Sequence, residues 1–263
     1  NLPAAYPKGY NAFYCMKYEI SQGQYADFLN MLTPSQAGTR FPTNYGISRF
    51  AISSNANVYT ADAPTRACNW ISWSDGAAYS DWAGLRPMTE LEFEKACRGV
   101  AAPVPDEYAW GSTTIYIPVT NFFGGDGSGS ETADPANANC NCTAKIPGPV
   151  RCGIFALAAS GREAAGATYW GIMEMIGNVG EKAVTVGNPA GRSFTGAMGD
   201  GSLDAAGNAD VGSWPGTGLG GTWRGGTYTL SAIYLRISDR YYAARGTTTR
   251  VVDYGWRGVR TAP

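Results

Sequence analysis

The chain has 263 residues, with 20 basic against 21 acidic side chains, 35 glycines and no histidine. That length can bury a sizeable core, the near-zero net charge gives no electrostatic case for nucleic acid or an anionic membrane, and no apolar run approaches the ~20 residues of a membrane span. The missing histidine excludes Ser-His-Asp and Cys-His nucleophile systems, and with them His-ligated zinc and non-haem iron.

The chain opens at Asn1 without Met or a signal peptide, which reads as a processed or trimmed product. Ala12 to Ile20, AFYCMKYEI, reads as a strand. Ser21 followed by Gln24 makes a capping box, and Tyr25, Phe28, Leu29 and Leu32 then share one helical face. Ser74 is placed to cap a second helix through Ala77, Ala78 and Trp82, which Gly84 ends. Thr89 with Glu92 makes another capping box, with Phe93, Ala96 and Cys97 apolar and Gly99 past the end.

From about Ala101 to Gly221 the pattern dissolves into Gly, Pro, Asn, Ser and Ala, and reads as long surface loop. Loops of this length in a compact domain are usually functional or disordered. The C-terminal stretch, rich in Tyr, Thr, Val and Ile, reads as short strands joined by exposed turns. No repeat and no linker divides the chain, so residues 1–263 are expected to form one domain.

None of the six cysteines forms a CxxC pair, and Cys140-Asn141-Cys142 has the wrong spacing for a zinc knuckle. Cys15 and Cys97 sit in apolar patterns and read as buried thiols. Cys140 or Cys142 could pair with Cys152 as a local staple, so the redox compartment stays open. Asn141-Cys142-Thr143 also matches the glycosylation sequon.

Four segments in order carry a resemblance: FYCMKYEISQGQYADFLN, ISWSDGAAYSDWAGLRPMTELEFEKACRG, YWGIMEMIGNVGEKAV and the pair WRGGTY and YGWRGVR. Together they resemble the formylglycine-generating-enzyme family, also called the sulfatase-modifying-factor domain. The resemblance implies an α+β, elaborated C-type lectin fold with a small twisted antiparallel sheet, few helices and much irregular loop. In those enzymes two cysteines after the Gly-Gly motif bind copper and activate oxygen; the matching positions here are Leu230 and Leu235. Leucine neither ionises nor ligates a soft metal. The chemistry implied by the family is therefore not expected, unless Cys97 or Cys152 comes to that place through the fold.

A second group on this fold keeps the frame without the cysteines: the variable proteins of diversity-generating retroelements. Similarity to that group implies that the segment between the Arg-Gly-Gly and Gly-aromatic-Arg motifs is hypervariable and binds a partner. Adenine-directed change of Asn codons cannot yield Lys, Gln, Glu, Met or Trp, and Thr227 to Tyr254 contains none of them. The same segment is rich in Tyr and Arg with small residues between them, a composition that suits a binding surface. Tyr228 reads as core, whereas Arg224 and Arg257 read as donors to loop carbonyls. The expected surface residues are Thr229, Ser231, Ile233, Tyr234, Asp239, Tyr241, Tyr242, Thr247, Thr248, Thr249, Val251 and Asp253.

Glu174 to Glu181, EMIGNVGE, resembles the family's calcium loop. The implied ligands are the side chains of Glu174 and Glu181 and the carbonyls of Gly177 and Val179, oxygen donors that suit a hard cation. No cofactor is required; a structural calcium is the one ion the resemblance suggests. The expectation is a non-enzymatic receptor with a protein or cell-surface ligand, displayed on a cell or virus surface. The alternatives are a formylglycine-generating-type oxidoreductase and a carbohydrate-binding or structural domain with one fixed ligand.

Overall fold

The two ends of the chain pair with each other. In the computed structural model, which describes every residue except Ile117 and Thr217, strand β1 (Phe13–Cys15) runs antiparallel to β10 (Gly258–Thr261), with Phe13 opposite Thr261. On its other side β10 pairs with the short β4 (Arg86–Pro87). Outside this sheet lie two hairpins, β2 (Ile52–Asn55) with β3 (Val58–Ala61) and β5 (Asn121–Phe123) with β6 (Thr132–Asp134). A second three-stranded sheet has β7 (Gly180–Val184) at its centre, flanked by β8 (Gly221–Arg224) and β9 (Tyr254–Gly255). Helices α1 (Gln22–Met31), α2 (Pro34–Arg40), α3 (Trp73–Trp82), α4 (Glu90–Arg98) and the single turn α5 (Pro189–Arg192) complete an α+β fold.

The helix starts follow their caps. Ser21 with Gln24 and Thr89 with Glu92 each exchange side-chain and backbone hydrogen bonds, which satisfies two otherwise orphaned N–H groups per helix. The start of α3 differs from the expected Ser74: Ser72 is the cap, and its partner is Asp75. Asp75 accepts from the Ser72 N–H and hydroxyl, so the shorter carboxylate completes the box two residues earlier than the sequence suggested. Helix α2 was not expected, although Thr33 and Gln36 form a capping box and Pro34 opens it.

The extended run from Ala12 to Ile20 joins a ladder only at Phe13–Cys15. Beyond it, Met16 N–H donates to Gly258 O and Ile20 N–H to Trp256 O, so the chain follows the C-terminal strand through single bonds. Its bend turns Glu19 inward, where that carboxylate takes the Asn178 side-chain amide and the Val179 N–H.

Two large apolar clusters fill most of the interior, with two smaller ones around Val150 and Met173. Tyr25, Phe28 and Leu29 of α1 meet Tyr79 of α3, and Trp73 packs edge-on against Trp256 with ring centroids 5.2 Å apart. Each such side chain contributes about 1.5–3 kcal/mol through burial. The second cluster joins Phe93, Ala96 and Cys97 of α4 to Cys140, Cys142, Met175, Leu235 and Ile237. The Ala101 to Gly221 stretch is mostly irregular, as expected, but it holds β5, β6, α5 and the wholly buried β7. Among the described residues no helix is long and apolar enough to cross a membrane.

Candidate ligand-binding face

Strand β7 fixes both ends of the segment in question. β8 leaves it antiparallel, with Lys182 opposite Trp223 and Glu181 opposite Arg224; β9 returns parallel, with Glu181 opposite Gly255. The two glycines after Arg224 are sterically required. Gly225 has φ +81° and a Cβ there would sit 2.3 Å from Met175 O, while one on Gly226 would sit 2.6 Å from Leu235 Cδ1.

Between these ends the chain is neither strand nor long helix, contrary to the expected short strands; a 3-10 turn at Ala232–Leu235 is its only regular element. The reason is that its backbone is pinned by side chains of the frame. Arg224 donates to Ile237 O at 2.5 Å, Thr222 to Tyr242 O at 2.7 Å, and Thr185 to Ala243 O. From within the segment itself Arg250 reaches back to the frame, binding both Asp75 oxygens at 2.8 and 2.9 Å and the carbonyls of Phe41 and Thr39. Tyr228, Leu235 and Ile237 are buried, so Tyr228 is core as its frame position implied. Leu235, at one of the two expected cysteine positions, is fully enclosed, and Leu230 is half-buried against the same cluster.

Of the twelve expected surface residues, six are exposed and six are half-buried. Thr229, Ser231, Thr248 and Thr249 are exposed, as are Ile233 at 53% and Tyr241 at 58%. Tyr234, Asp239, Tyr242, Thr247, Val251 and Asp253 are half-buried. The structure brings Tyr234, Tyr241 and Tyr242 into one aromatic cluster, with centroids 4.8 to 6.0 Å apart. Thr229 donates to Asp253 at 2.7 Å, and Thr247 lies 2.8 Å from Thr249, so these polar residues form local pairs.

Beneath the tyrosines lie two frame residues that sequence reasoning missed. Trp223 stacks on Tyr242 at 3.8 Å and touches Tyr254 at 5.2 Å. Lys182, only 2% exposed, holds its ammonium 4.3 Å from the Tyr254 ring centroid. Burial pushes the Lys182 amine down to about 7, against the weaker opposing pull of Asp75 and Asp253. Arg245, exposed, lies over both Tyr241 and Tyr242 at 5.2 and 5.4 Å. The face is thus a tyrosine cluster with the Arg245 guanidinium over it and the buried Lys182 amine against the neighbouring Tyr254.

The calcium-loop residues lie elsewhere, around Arg257. That guanidinium is fully buried and donates to Glu181 Oε1 at 2.9 Å, Met16 O at 2.7 Å and Met173 O at 2.8 Å. Arg224 and Arg257 do donate to carbonyls, and both also pair with carboxylates. Glu174 accepts the Gly153 N–H at 2.9 Å. Gly177, at φ +73°, donates to Gly225 O, and Val179 donates to Glu19. Burial raises the carboxyls of Glu19, Glu174 and Glu181, Glu174 to about 7. Glu174 Oε2 and Glu181 Oε2 are buried without a hydrogen-bond partner. Arg257 and Arg151 are the cations that act on Glu174, and a buried carboxylate oxygen without a partner is the kind of donor that a hard cation takes.

The cysteines are all free thiols. Cys152 donates to Glu19 O, whereas Cys140 meets Cys142 at 3.2 Å, so the staple to Cys152 is not formed. Asn141 is fully buried and donates to Gly148 O and Asn178 Oδ1, which places the sequon out of reach of a glycan.

The profile of the sulfatase-modifying factor enzyme 1-like domain matches residues 3–262. The formylglycine-generating enzyme of Bos taurus is 28% identical over 116 residues, 34% of this chain and 31% of that protein. The enzyme of Streptomyces coelicolor is 51% identical over 41 residues, 16% of this chain and 12% of its own length. These matches span less than a third of the curated relatives. Two solved structures are similar along 95% of this chain: Treponema denticola variable protein 1 (14% identity, TM-score 0.47, 84% of that chain) and PvdO from Pseudomonas aeruginosa (17%, 0.46, 80%). The profile match over nearly the whole length places this chain in the sulfatase-modifying factor enzyme 1-like family.

Proposed function

We propose that the chain is a non-enzymatic ligand-binding protein whose segment from Thr227 to Tyr254 is a diversified surface on a rigid frame. The observation that carries this reading is the fate of the two expected cysteine positions. Leu230 and Leu235 pack against the apolar cluster, and between and beyond them Ile233 and Tyr241 are exposed beside the half-buried Tyr234 and Tyr242. Tyrosines supply large contacts at low entropy cost, and a backbone already pinned by Arg224, Thr222 and Arg250 spares the cost of ordering a loop on binding. The partner is a protein or cell-surface ligand, met from the surface of a cell or virus. A calcium ion between Glu174 and Glu181, with the carbonyls of Gly177 and Val179, would take up the buried oxygen that each carboxylate leaves without a partner.

Sequencing the codons for Thr227 to Tyr254 across the source population tests the reading. Variation is expected at positions such as Thr229, Ile233 and Tyr241, never to Lys, Gln, Glu, Met or Trp, with a near-copy carrying Asn codons close by. Fixed codons and no near-copy would overturn diversification and leave a single-ligand domain. One observation favours keeping the oxidoreductase alternative under test: Cys97, Cys140 and Cys142 share the cluster of Leu230 and Leu235. Burial raises the Cys97 thiol, which disfavours the thiolate that copper needs. Copper(I) titration without a thiolate charge-transfer band closes that alternative.

A further inference from the structure

The two sulfurs of Cys140 and Cys142 lie 3.2 Å apart, inside the cluster that underlies the segment. Both residues are at most 1% exposed, and both are free thiols. The next two residues grip the start of the segment: Thr143 N–H donates to Leu230 O at 2.9 Å and Ala144 N–H to Tyr228 O at 2.6 Å. Thr143 and Ala144 hold left-handed backbone, with φ of 61° and 56°, a conformation that costs non-glycine residues energy and is kept only by its surroundings. On the other side Asn141 O accepts the Asn178 N–H at 2.8 Å, and Cys140 O accepts the Val119 N–H at 3.1 Å. Any change in the Cys140–Cys142 backbone is therefore felt at Tyr228 and Leu230.

We propose that Cys140 and Cys142 are a thiol–disulfide pair, oxidised to an intramolecular bond by a low-molecular-weight disulfide, and that this bond alters the grip on the first turn of the segment. The thiol of Cys142 is assigned as the attacking group, because the contact with Cys140 and the Thr143 hydrogen bond lower it, while the same contact and burial raise Cys140. The Cys142 thiolate attacks one sulfur of the small disulfide, forming a mixed disulfide and releasing one thiolate. Cys140, giving its proton to that thiolate, then attacks the Cys142 sulfur and expels the second thiolate, which takes the proton Cys142 had lost. Two protein S–H groups and one disulfide become one protein disulfide and two small thiols. The protein is oxidised and the reagent reduced. Burial makes the reaction wait for opening of the segment, so its rate reports that opening.

The test uses the whole reduced protein and glutathione disulfide, with acid quench, unfolding, alkylation by iodoacetamide and mass spectrometry of the digest. The peptide carrying Cys140 and Cys142 is expected to escape alkylation and to weigh two hydrogens less, while Cys15, Cys68, Cys97 and Cys152 are alkylated. A doubly alkylated peptide, or a lasting glutathione adduct on Cys142 without ring closure, overturns the pair. Cys140→Ser should stop at that adduct, and an unmodified Cys142 in this variant would remove it as the attacking thiol. Amide exchange at Thr143 and Ala144 is expected to differ by about fivefold between reduced and oxidised protein, what one net hydrogen bond is worth. Equal exchange would overturn the link to the segment.

Discussion

Arg257 and Arg245 stand near each other in sequence and do opposite work. Arg257 is fully enclosed and its donors are taken by Glu181, Met16 and Met173. Arg245 is exposed, lies over two tyrosine rings, and has no carboxylate within ion-pair distance among the described residues. The first belongs to a frame whose polar groups answer one another. The second belongs to a segment whose backbone is held in place, with Ile233, Tyr241 and Arg245 exposed and Tyr228, Leu235 and Ile237 packed inward. Where the frame's side chains hold that backbone, side-chain identity in the segment can change with little loss of stability.

The sharpest way to break this contrast is at the frame. Arg257→Met leaves Glu181 beside two further buried carboxylates with no guanidinium, and is expected to cost about 3–5 kcal/mol in a urea titration. A loss no greater than that of a surface change would erase the distinction. Lys182→Met should act in the other direction. Its folded-state value of about 7 lies below the ordinary 10.5, so the unfolded chain binds the extra proton between those two values. Stability therefore rises as pH climbs from about 7 to 10.5, and the penalty is fully present at and below about 7. The variant is expected to gain roughly 4–5 kcal/mol near pH 7 and to lose that slope in melts taken across the range. An unchanged slope would mean the amine keeps its ordinary value.

Glu174 sharpens the same point from the acid side. Raised from 4.5 to about 7, it favours the folded state below 4.5, and that advantage is lost as pH rises to about 7. Glu174→Gln should flatten the fall measured in metal-free buffer. Chelation is expected to lower the melting temperature, since an ion at a hundred times its dissociation constant adds about 2.7 kcal/mol. Identical melts with and without chelator would rule the ion out. The smallest effect belongs to the segment: Tyr241→Ser and Ile233→Thr should each change stability by no more than about 0.5 kcal/mol. Larger losses would make those side chains part of the frame.

Much of this architecture is legible where local chemistry decides it. The caps of α1 and α4 are read directly from Ser21, Gln24, Thr89 and Glu92, because both partners lie within one turn. Helix α2 escapes because Pro34–Arg40 has no apolar stripe to accompany its cap. β7 escapes because both its faces are buried, so Gly-Glu-Lys-Ala-Val shows no alternation. The outward residues of the segment follow from the motifs that bracket it. Lys182, Trp223 and the inward turn of Glu19 do not, since strand register and a bend place them, and neither leaves a periodic trace.

Because β8 and β9 sit on either side of β7, the ends of the segment stay about two strand spacings, or ~10 Å, apart whatever lies between them. Closure itself costs little, since each doubling of a flexible loop adds only about 0.6 kcal/mol, so it is the bonds to Ile237, Tyr242 and Ala243 that fix the length of this one. The scaffold is thus a socket whose mouth stays fixed while the exposed side chains between its ends are rewritten.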